Sequence, residues 1–297
     1  MATEPSVAVC VPAHGDRTGL KRLLDSLAVV DYPRDRFQVV VALDGPDPAL
    51  EKIARDCGVD VVVSEVNCGS YAMRNLALDQ VGDAEFVLFT DTDCAVSPQW
   101  VRAHVAALQT TDLSGGEVRF ETGAVPTPAE WVDSVRHLRQ RHFVNVLGYA
   151  ATCNLGVRRA VVEQLRFDGA RRSGGDFDFG RRARQAGYSI AYSAEAAIAH
   201  PARRSTRAVL RKVWRVAGGA QALGRDGERA SQRRDPTRQT ALAAARAAGL
   251  PVSSWWLLRV AAVDRLCSVA YAVRVPQVIG PAIARRLGRV MRPSRPA

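Results

Sequence analysis

Asp91-Thr92-Asp93 constrains this chain more than any other feature, because it follows the apolar run Phe86-Val87-Leu88-Phe89. A continuous apolar run of that length reads as a strand buried on both faces, the habit of parallel sheets covered by helices. Open sheets of this kind bind ligands just outside the carboxyl ends of their strands. Two carboxylates at such an exit are costly unless something compensates them, and a hard divalent cation bridging to a diphosphate would do so. Asp-X-Asp is also frequent by chance, and two aspartates in a solvated loop are the other reading. Position after a buried strand favours the cation.

The rhythm of the chain around this point agrees with a parallel sheet. Apolar patterning predicts strands over Val7–Val11, Phe37–Leu43, Val59–Ser64 and Glu85–Thr90. Between them, helical spacing predicts helices over Thr18–Val30, Pro48–Cys57 and Ser70–Gln80. Strands alternating with helices in this way predict a sheet covered on both faces. Beyond Asp93 the pattern loosens. Helices are expected over Pro98–Leu108, with Ser97 as N-cap and Pro98 at the first position, over Pro128–Leu147, and over Arg158–Gln164. Gly115–Thr122, Ala150–Val157 and Tyr188–Tyr192 read as extended, and Gly174–Ala186 as a turn and helix. Leu242–Ala248 and Trp255–Val273 are further helical candidates.

Charge divides the 297 residues unevenly. Of 41 basic and 30 acidic residues, the segment 201–297 holds 20 basic ones against four acids, Asp226, Glu228, Asp235 and Asp264. The first 200 residues are therefore slightly acidic, and the last third is made to meet something anionic. Six scattered cysteines without a Cys-X-X-Cys pair point to free thiols in a reducing compartment. Residues 1–6 carry no basic, apolar leader pattern, so a cytoplasmic location is expected. No run approaches the ~20 apolar residues that span a bilayer; Trp255–Val273 is interrupted by Arg259, Asp264 and Arg265.

Several side chains are candidates for chemistry. Asp44 ends the second strand as Asp91 ends the fourth, so both face one rim. Its carboxylate suits a nucleobase N–H or a ribose hydroxyl, although Asp44-Gly45-Pro46 is also good turn chemistry. Ser173-Gly174-Gly175-Asp176-Phe177-Asp178 could bring a general base close to an acceptor hydroxyl, or Ser173 or Asp176 could simply cap a helix. A neutral His200 could join carboxylates on a metal, or it could be structural. Arg74-Asn75 and Arg158-Arg159 could meet phosphate or form surface ion pairs.

The order of these pieces is more telling than any one of them. Val7-Ala8-Val9-Cys10-Val11-Pro12-Ala13-His14, then Asp44, Asn67-Cys68-Gly69-Ser70, Arg74-Asn75 and Phe89-Thr90-Asp91-Thr92-Asp93 resemble the nucleotide half of family 2 glycosyltransferases. Cys153-Asn154-Leu155-Gly156-Val157-Arg158-Arg159, Gly175-Asp176-Phe177-Asp178-Phe179, Arg181-Arg182, Ala186-Gly187-Tyr188 and Ala199-His200-Pro201 resemble the acceptor half. The resemblance covers about residues 5–220. It implies an α/β GT-A fold, with a Rossmann-like, mostly parallel sheet covered by helices on both faces, and an inverting transfer from a nucleoside-diphosphate sugar to a hydroxyl acceptor. The acceptor could be lipid-linked, a polysaccharide or a small metabolite. By matching position, Pro12, Ala13, Asp44, Asn67, Arg74 and Asp91 would line the nucleotide site. Asp93, Asp91 and His200 would hold a divalent metal, Mg2+ or Mn2+, and Asp176 would be the base. Asn154, Asp178, Arg181 and Arg182 would stand on the acceptor or diphosphate side. One departure is that Gly175 replaces the Glu that commonly precedes the base, which leaves Asp178 as a possible sharer of its role.

The expected domains are a catalytic domain over 1–217, with a nucleotide half of about 5–95 and an acceptor half of about 96–217. A linker or mobile loop over 218–240 and a basic helical C-terminal extension over 241–297 follow. Residues 203–215 alternate Arg and Lys with apolar residues, Trp255-Trp256 follow, and Arg285, Arg286, Arg289, Arg292 and Arg295 form a basic end. This pattern suits an anionic membrane surface, the alternative being helices packed on the catalytic body. A nucleic-acid-binding protein using the basic tail is an alternative class, but nucleic acid is not an expected partner, since the tail carries no recognisable motif and the body is acidic. A sugar-nucleotide-binding protein without transferase activity and a nucleotidyltransferase are the other classes. The second would want a Gly-rich phosphate loop where Pro12-Ala13-His14-Gly15 stands.

Overall fold

Eight strands, the central ones buried along nearly their whole length, build the larger part of the protein. The computed structural model describes residues 4–224, 240–248, 250 and 252–274. The described residues form two compact units. The first runs up to Glu121 and resumes over Leu138–Pro201; the second takes Thr122–His137 and the described residues from Ala202 onward.

In the first unit the elements are β1 (Val7–Ala13), α1 (Arg17–Leu27), β2 (Phe37–Leu43), α2 (Pro48–Asp56), β3 (Asp60–Val63), α3 (Ser70–Leu78), β4 (Phe86–Thr90), β5 (Ala95–Val96), α4 (Trp100–Leu108) and β6 (Leu113–Glu121). After Leu138 come α6, a single helical turn (Gln140–His142), a π-helical turn (Phe143–Leu147), β7 (Asn154–Arg158), α7 (Arg159–Gln164), α8 (Gly175–Gln185) and β8 (Ile190–Pro201). The sheet order is β3-β2-β1-β4-β7-β6-β8-β5. β1, β2, β3 and β4 are mutually parallel, β7 is antiparallel to β4 and β6, and β8 is parallel to β6. β6 and β8 therefore point the same way as β1–β4, and only β7 and β5 are reversed.

The two faces of the sheet are filled separately, which is why its strands read as unbroken apolar runs. Val9, Val11, Val41, Leu43 and Leu88 pack with Leu20, Leu23 and Leu27 of α1, Leu50 of α2 and Trp100 of α4. Their neighbours Ala8, Cys10, Val40, Ala42, Val87 and Phe89 pack on the other face with Tyr71, Met73 and Ala77 of α3, Val161 of α7 and Phe179 of α8. This is the α/β sheet with helices on both faces that the alternation predicts.

Three expected elements differ. Ser97 does not cap the next helix: α4 begins at Trp100 after Gln99, and Ser97 contributes only its carbonyl, which accepts from the Trp100 N–H at 3.0 Å. The helix expected over Pro128–Leu147 is broken. Its first part, α5 (Pro128–Arg136), ends at an extended His137, and Leu138 takes φ 48. The chain then turns because the buried Gln140 amide bonds the backbone of Ala151 and Asn154, at 2.8 Å from the Ala151 N–H and 2.8 Å to the Asn154 carbonyl. The late strand is far longer than Tyr188–Tyr192. Alanine-rich residues 194–199 have weak strand propensity, and pairing with β6 and β5 overrides it.

The second unit is helical: α5, α9 (Thr206–Ala222), and helices Ala241–Ala247 and Ser254–Arg274. α9 runs past residue 218, and residues 225–239 of the anticipated linker lie outside the described residues, as do Arg285, Arg286, Arg289, Arg292 and Arg295. Val209 and Val213, the apolar side of the basic segment 203–215, are buried with Ala129, Val132, Val260 and Cys267 in this unit's own core. Asp133, fully buried in α5, accepts hydrogen bonds from His137 Nδ1 at 2.7 Å, the Arg203 N–H at 3.0 Å and Arg203 Nη1 at 3.1 Å.

Candidate active site

Parallel strands put their carboxyl ends on one rim, and the sequence places acidic or imidazole groups at three of those ends. Asp44 follows β2, Asp91-Thr92-Asp93 follows β4, and His200 lies at the end of β8. β5, two residues after Asp93, pairs Ala95 with Ala199, which ties the acidic loop to the strand bearing His200.

The beginning of α3 links these points. Asp44 is 7% exposed, and its carboxylate accepts the Cys68 N–H at 2.6 Å and the Gly69 N–H at 3.0 Å. Gly69 has φ 96, a conformation that favours glycine, and a Cβ there would come within 2.9 Å of the Arg172 guanidinium. One turn on, buried Arg74 pairs through Nη2 with the half-exposed Asp91 carboxylate. The Arg74 guanidinium also lies 5.5 Å from the Tyr71 ring centroid, and its Nε has no hydrogen-bond partner among the described residues. Tyr71 Oη donates to Asp176 Oδ1 at 3.4 Å, and the Phe177 N–H donates to the same oxygen at 2.9 Å. Thus Asp44, the acidic loop and Asp176 are each held by a residue of one short segment, 68–74.

A cleft of about 350 Å3 opens beside Asp44, lined by His14, Pro46, Asp47, Glu65 and Asn67 among others. Asn67 closes one side through Arg172, whose Nη1 donates to Asn67 Oδ1 at 2.9 Å and whose Nη2 donates to the Asn67 carbonyl at 3.2 Å. His14 Nδ1 lies 3.0 Å from the Asp44 carbonyl, which can only accept, so that nitrogen carries the proton. Pro12 and Ala13 are buried at the end of β1, where Ala13 pairs with Leu43.

The residues suited to a metal are at the other end of the rim. Asp93 Oδ2 is 3.5 Å from His200 Nε2, and donor atoms of Asp93, Cys94 and His200 all lie within 4.8 Å of one another. His200 Nδ1 donates to the Pro201 carbonyl at 2.9 Å, which leaves the Nε2 lone pair of the neutral ring on the Asp93 side. Burial pushes the Cys94 thiol well above its usual range, with the nearby Cys153 and Asp93 adding to the effect, so the oxygen and imidazole donors are the ones that fit a hard cation.

The segment after Gly174 separates two aspartates. Gly174 takes φ 79 and opens α8 without a side-chain cap, so neither Ser173 nor Asp176 caps the helix. A Cβ on Gly175 would lie 2.8 Å from Tyr71 ring carbons, so the ring occupies the space a side chain would need. Asp178 is buried, with Oδ1 held by Arg181 Nη2 at 3.0 Å and Oδ2 by Arg182 Nε at 2.9 Å. Burial works to raise the Asp178 carboxyl, but the Arg182 and Arg181 hydrogen bonds outweigh it and hold it below its usual value. Arg182 also donates to the Arg166 carbonyl at 2.7 Å. Arg158 is tied to the Gln109 and Thr111 carbonyls, and Arg159 to Glu163, so both bond within the protein.

Asn154 is wholly buried, and its side chain is bonded by protein on every side. Its Oδ1 accepts from Trp100 Nε1 at 2.8 Å and His104 Nε2 at 2.9 Å, and its Nδ2 donates to the Glu117 and Ala196 carbonyls at 2.8 Å each. His104 is neutral in this setting: Nε2 donates to Asn154, and Nδ1 accepts from Ser114 Oγ at 3.1 Å. Burial, partly offset by the Asn154 hydrogen bond, pushes His104 down to about 4. The depressed value makes the unfolded chain bind a proton that the fold refuses. Stability present above the unfolded value of about 6.5 is therefore lost as pH falls toward 4, by about 3 kcal/mol from this ring. His104→Gln should flatten that acid branch in a pH series of denaturant melts; an unchanged slope would contradict the neutral ring.

Tyr71 and Arg172 are site residues that sequence reasoning misses. The signal for Tyr71 is the glycine pair before Asp176, which leaves room for a ring; Arg172 leaves no local signal, because its partners stand 105 positions away.

The family profile described as Glycosyl transferase family 2 matches residues 8–166. Glycosyltransferase AglE of Haloferax volcanii is 31% identical over 226 residues, covering 73% of this chain and 74% of AglE. The poly(ribitol-phosphate) beta-N-acetylglucosaminyltransferase TarS of Staphylococcus aureus is 35% identical over 100 residues, 32% of this chain and 17% of TarS. Among solved structures, mannosyltransferase PcManGT from Pyrobaculum calidifontis, in complex with GDP-Man and Mn2+, superposes with a TM-score of 0.57 at 18% identity, over 97% of this chain and 79% of that one. S. aureus TarS in complex with UDP-GlcNAc gives 0.53 at 19% identity, over 96% and 88%. At such identities the two structures speak for the fold, which is the GT-A architecture.

Proposed function

Because this chain belongs to glycosyltransferase family 2, we propose that it moves a sugar from a nucleoside-diphosphate donor to an acceptor hydroxyl in one metal-assisted, inverting displacement. The observation that carries this reading is the segment 68–74, which holds Asp44 through its backbone, Asp91 through Arg74 and Asp176 through Tyr71. Donor-binding groups and a base belong together only if a transfer takes place between them.

In this reading the cleft beside Asp44 takes the base and ribose, with Asn67 and the buried end of β1 at Pro12 and Ala13 around it. Asp91, charge-paired with Arg74, faces the ribose and diphosphate. Asp93 and His200 would hold a divalent cation, Mg2+ or Mn2+, which would supply positive charge against the departing diphosphate. Asp176 accepts the proton of the acceptor hydroxyl as that oxygen attacks the anomeric carbon opposite the leaving group. Asp178 is a poor candidate for that task, since both its oxygens are engaged and its proton affinity is lowered. Arg181 and Arg182 then act by fixing Asp178 and the start of α8, and Asn154 by holding the rim. The acceptor hydroxyl belongs to a lipid-linked sugar, a polysaccharide or a small metabolite, and the enzyme works in the cytoplasm at the inner face of the membrane. No helix of the described residues is long and apolar enough to cross a membrane.

A thermal-shift panel of nucleoside-diphosphate sugars, each with Mn2+, Mg2+ or EDTA, tests the reading. The correct donor at about one hundred times its Kd stabilises the fold by about 2.7 kcal/mol, and EDTA should remove most of that gain. Melting curves indifferent to every donor, or a donor shift indifferent to EDTA, would count against it.

A further inference from the structure

We propose that the outward face of helix Ser254–Arg274 is a docking surface for an anionic lipid bilayer, an inference that rests on the peripheral location given above and assigns it to particular residues. The helix is apolar on two sides. One side, Val260, Val263, Cys267 and Ala270, is used up in the core of its own unit against Val132, Val209 and Val213. The other side leaves Trp255 77%, Leu258 61%, Leu266 49% and Val269 46% exposed. At about 100° per residue these four fall within one stripe about 80° wide, with Arg259 beside one edge and Arg265 beside the other.

The charge on this face selects the partner. Arg259 and Arg265 are exposed and have no ion-pair partner among the described residues. Asp264, the only acid of the helix, is turned to Arg136, with which it pairs. Among the described residues the surface is therefore apolar with a purely cationic border. A lipid surface of negative sign fits that pattern: the stripe enters the acyl boundary, Trp255 sits at headgroup depth, and the arginines reach lipid phosphates with their stems still covering apolar surface. The segment 203–215, which looks amphipathic in sequence, cannot supply this surface, since its Val209 and Val213 are buried. It contributes instead the exposed Arg207, Arg211 and Arg215 on the same unit.

The test is flotation of the full chain with vesicles of phosphatidylcholine alone and with one-third phosphatidylglycerol. Each arginine near anionic lipid contributes about fivefold, so two predict at least a tenfold preference for the anionic vesicles that fades in high salt. Leu258→Glu/Leu266→Glu should lose at least tenfold of the bound fraction while melting like the wild type and responding to the donor panel unchanged. A chain that is stabilised by a donor but ignores anionic vesicles, or that binds both vesicle types equally, overturns the docking surface and leaves the transferase reading intact. Vesicle binding by a chain that responds to no donor supports the surface and removes the transferase reading. A lipid-free dimer that the double substitution dissociates would make the face a contact between two copies and overturn the proposal.

Discussion

Asp176→Asn should lower sugar transfer by about 100- to 10,000-fold, the range for loss of a general base, with donor affinity unchanged. Asn keeps the shape and can still accept the Phe177 N–H and the Tyr71 hydroxyl through its carbonyl oxygen, so the start of α8 is not disturbed. What disappears is the anion that, in the proposed reaction, takes the acceptor proton. Gly175 makes this residue a clean test, because no carboxylate immediately precedes it. The Tyr71 ring fills the space a side chain at 175 would take, and Asp178 is neutralised by two arginines, so no neighbouring carboxylate stands ready to replace Asp176. The measurement is single-turnover transfer alongside donor thermal shifts. Residual activity above about one-tenth would show that another group removes the proton; loss of the donor shift would show that Asp176 belongs to the nucleotide site instead.

The first half of the sheet is legible in the sequence because both faces of its strands are buried, so apolar runs and the acids that end them stand out from their neighbours. Phe37–Leu43 and Phe86–Thr90 with Asp44 and Asp91 behind them are local signals. The rest of the site depends on contacts that the sequence does not carry side by side. β8 is written in alanines and becomes a strand only through its partners, so the placement of His200 beside Asp93 comes from the pairing of Ala95 with Ala199. The break at Leu138 comes from Gln140 reaching Ala151 and Asn154 rather than from a proline or glycine. The basic segment 203–215 shows a different limit: its apolar side is genuine, and of the two readings open for it Val209 and Val213 follow the packed one, against a neighbouring helix. Hydrophobic periodicity reports that a face is buried and is silent on what buries it.

Asn154→Ala should destabilise the protein by about 3–5 kcal/mol, because it strands several buried polar groups at once and each costs about 1–3 kcal/mol. The family pattern around Cys153-Asn154-Leu155-Gly156 suggests a residue that meets ligand, but the amide has no bonding position left for one. Its two carbonyl partners belong to β6 and to the stretch of β8 that bulges opposite it, and its two donors come from α4. Asn154 itself pairs with Thr90, the residue before the Asp91-Thr92-Asp93 loop. The amide therefore joins three strands and a helix directly beneath the acidic rim. Gly116 is part of the same fit, since a Cβ there would lie 2.4 Å from Asn154 Nδ2 and 2.1 Å from the Ala196 carbonyl. Asn154→Asp, of equal shape, separates geometry from bonding: its second oxygen would face the Glu117 and Ala196 carbonyls as acceptor against acceptor, and the destabilisation at neutral pH should match or exceed that of the alanine variant. Urea melts of both variants decide the matter. A loss below about 1 kcal/mol in Asn154→Ala, together with a selective fall in kcat/KM, would return Asn154 to the substrate side and remove it from the framework.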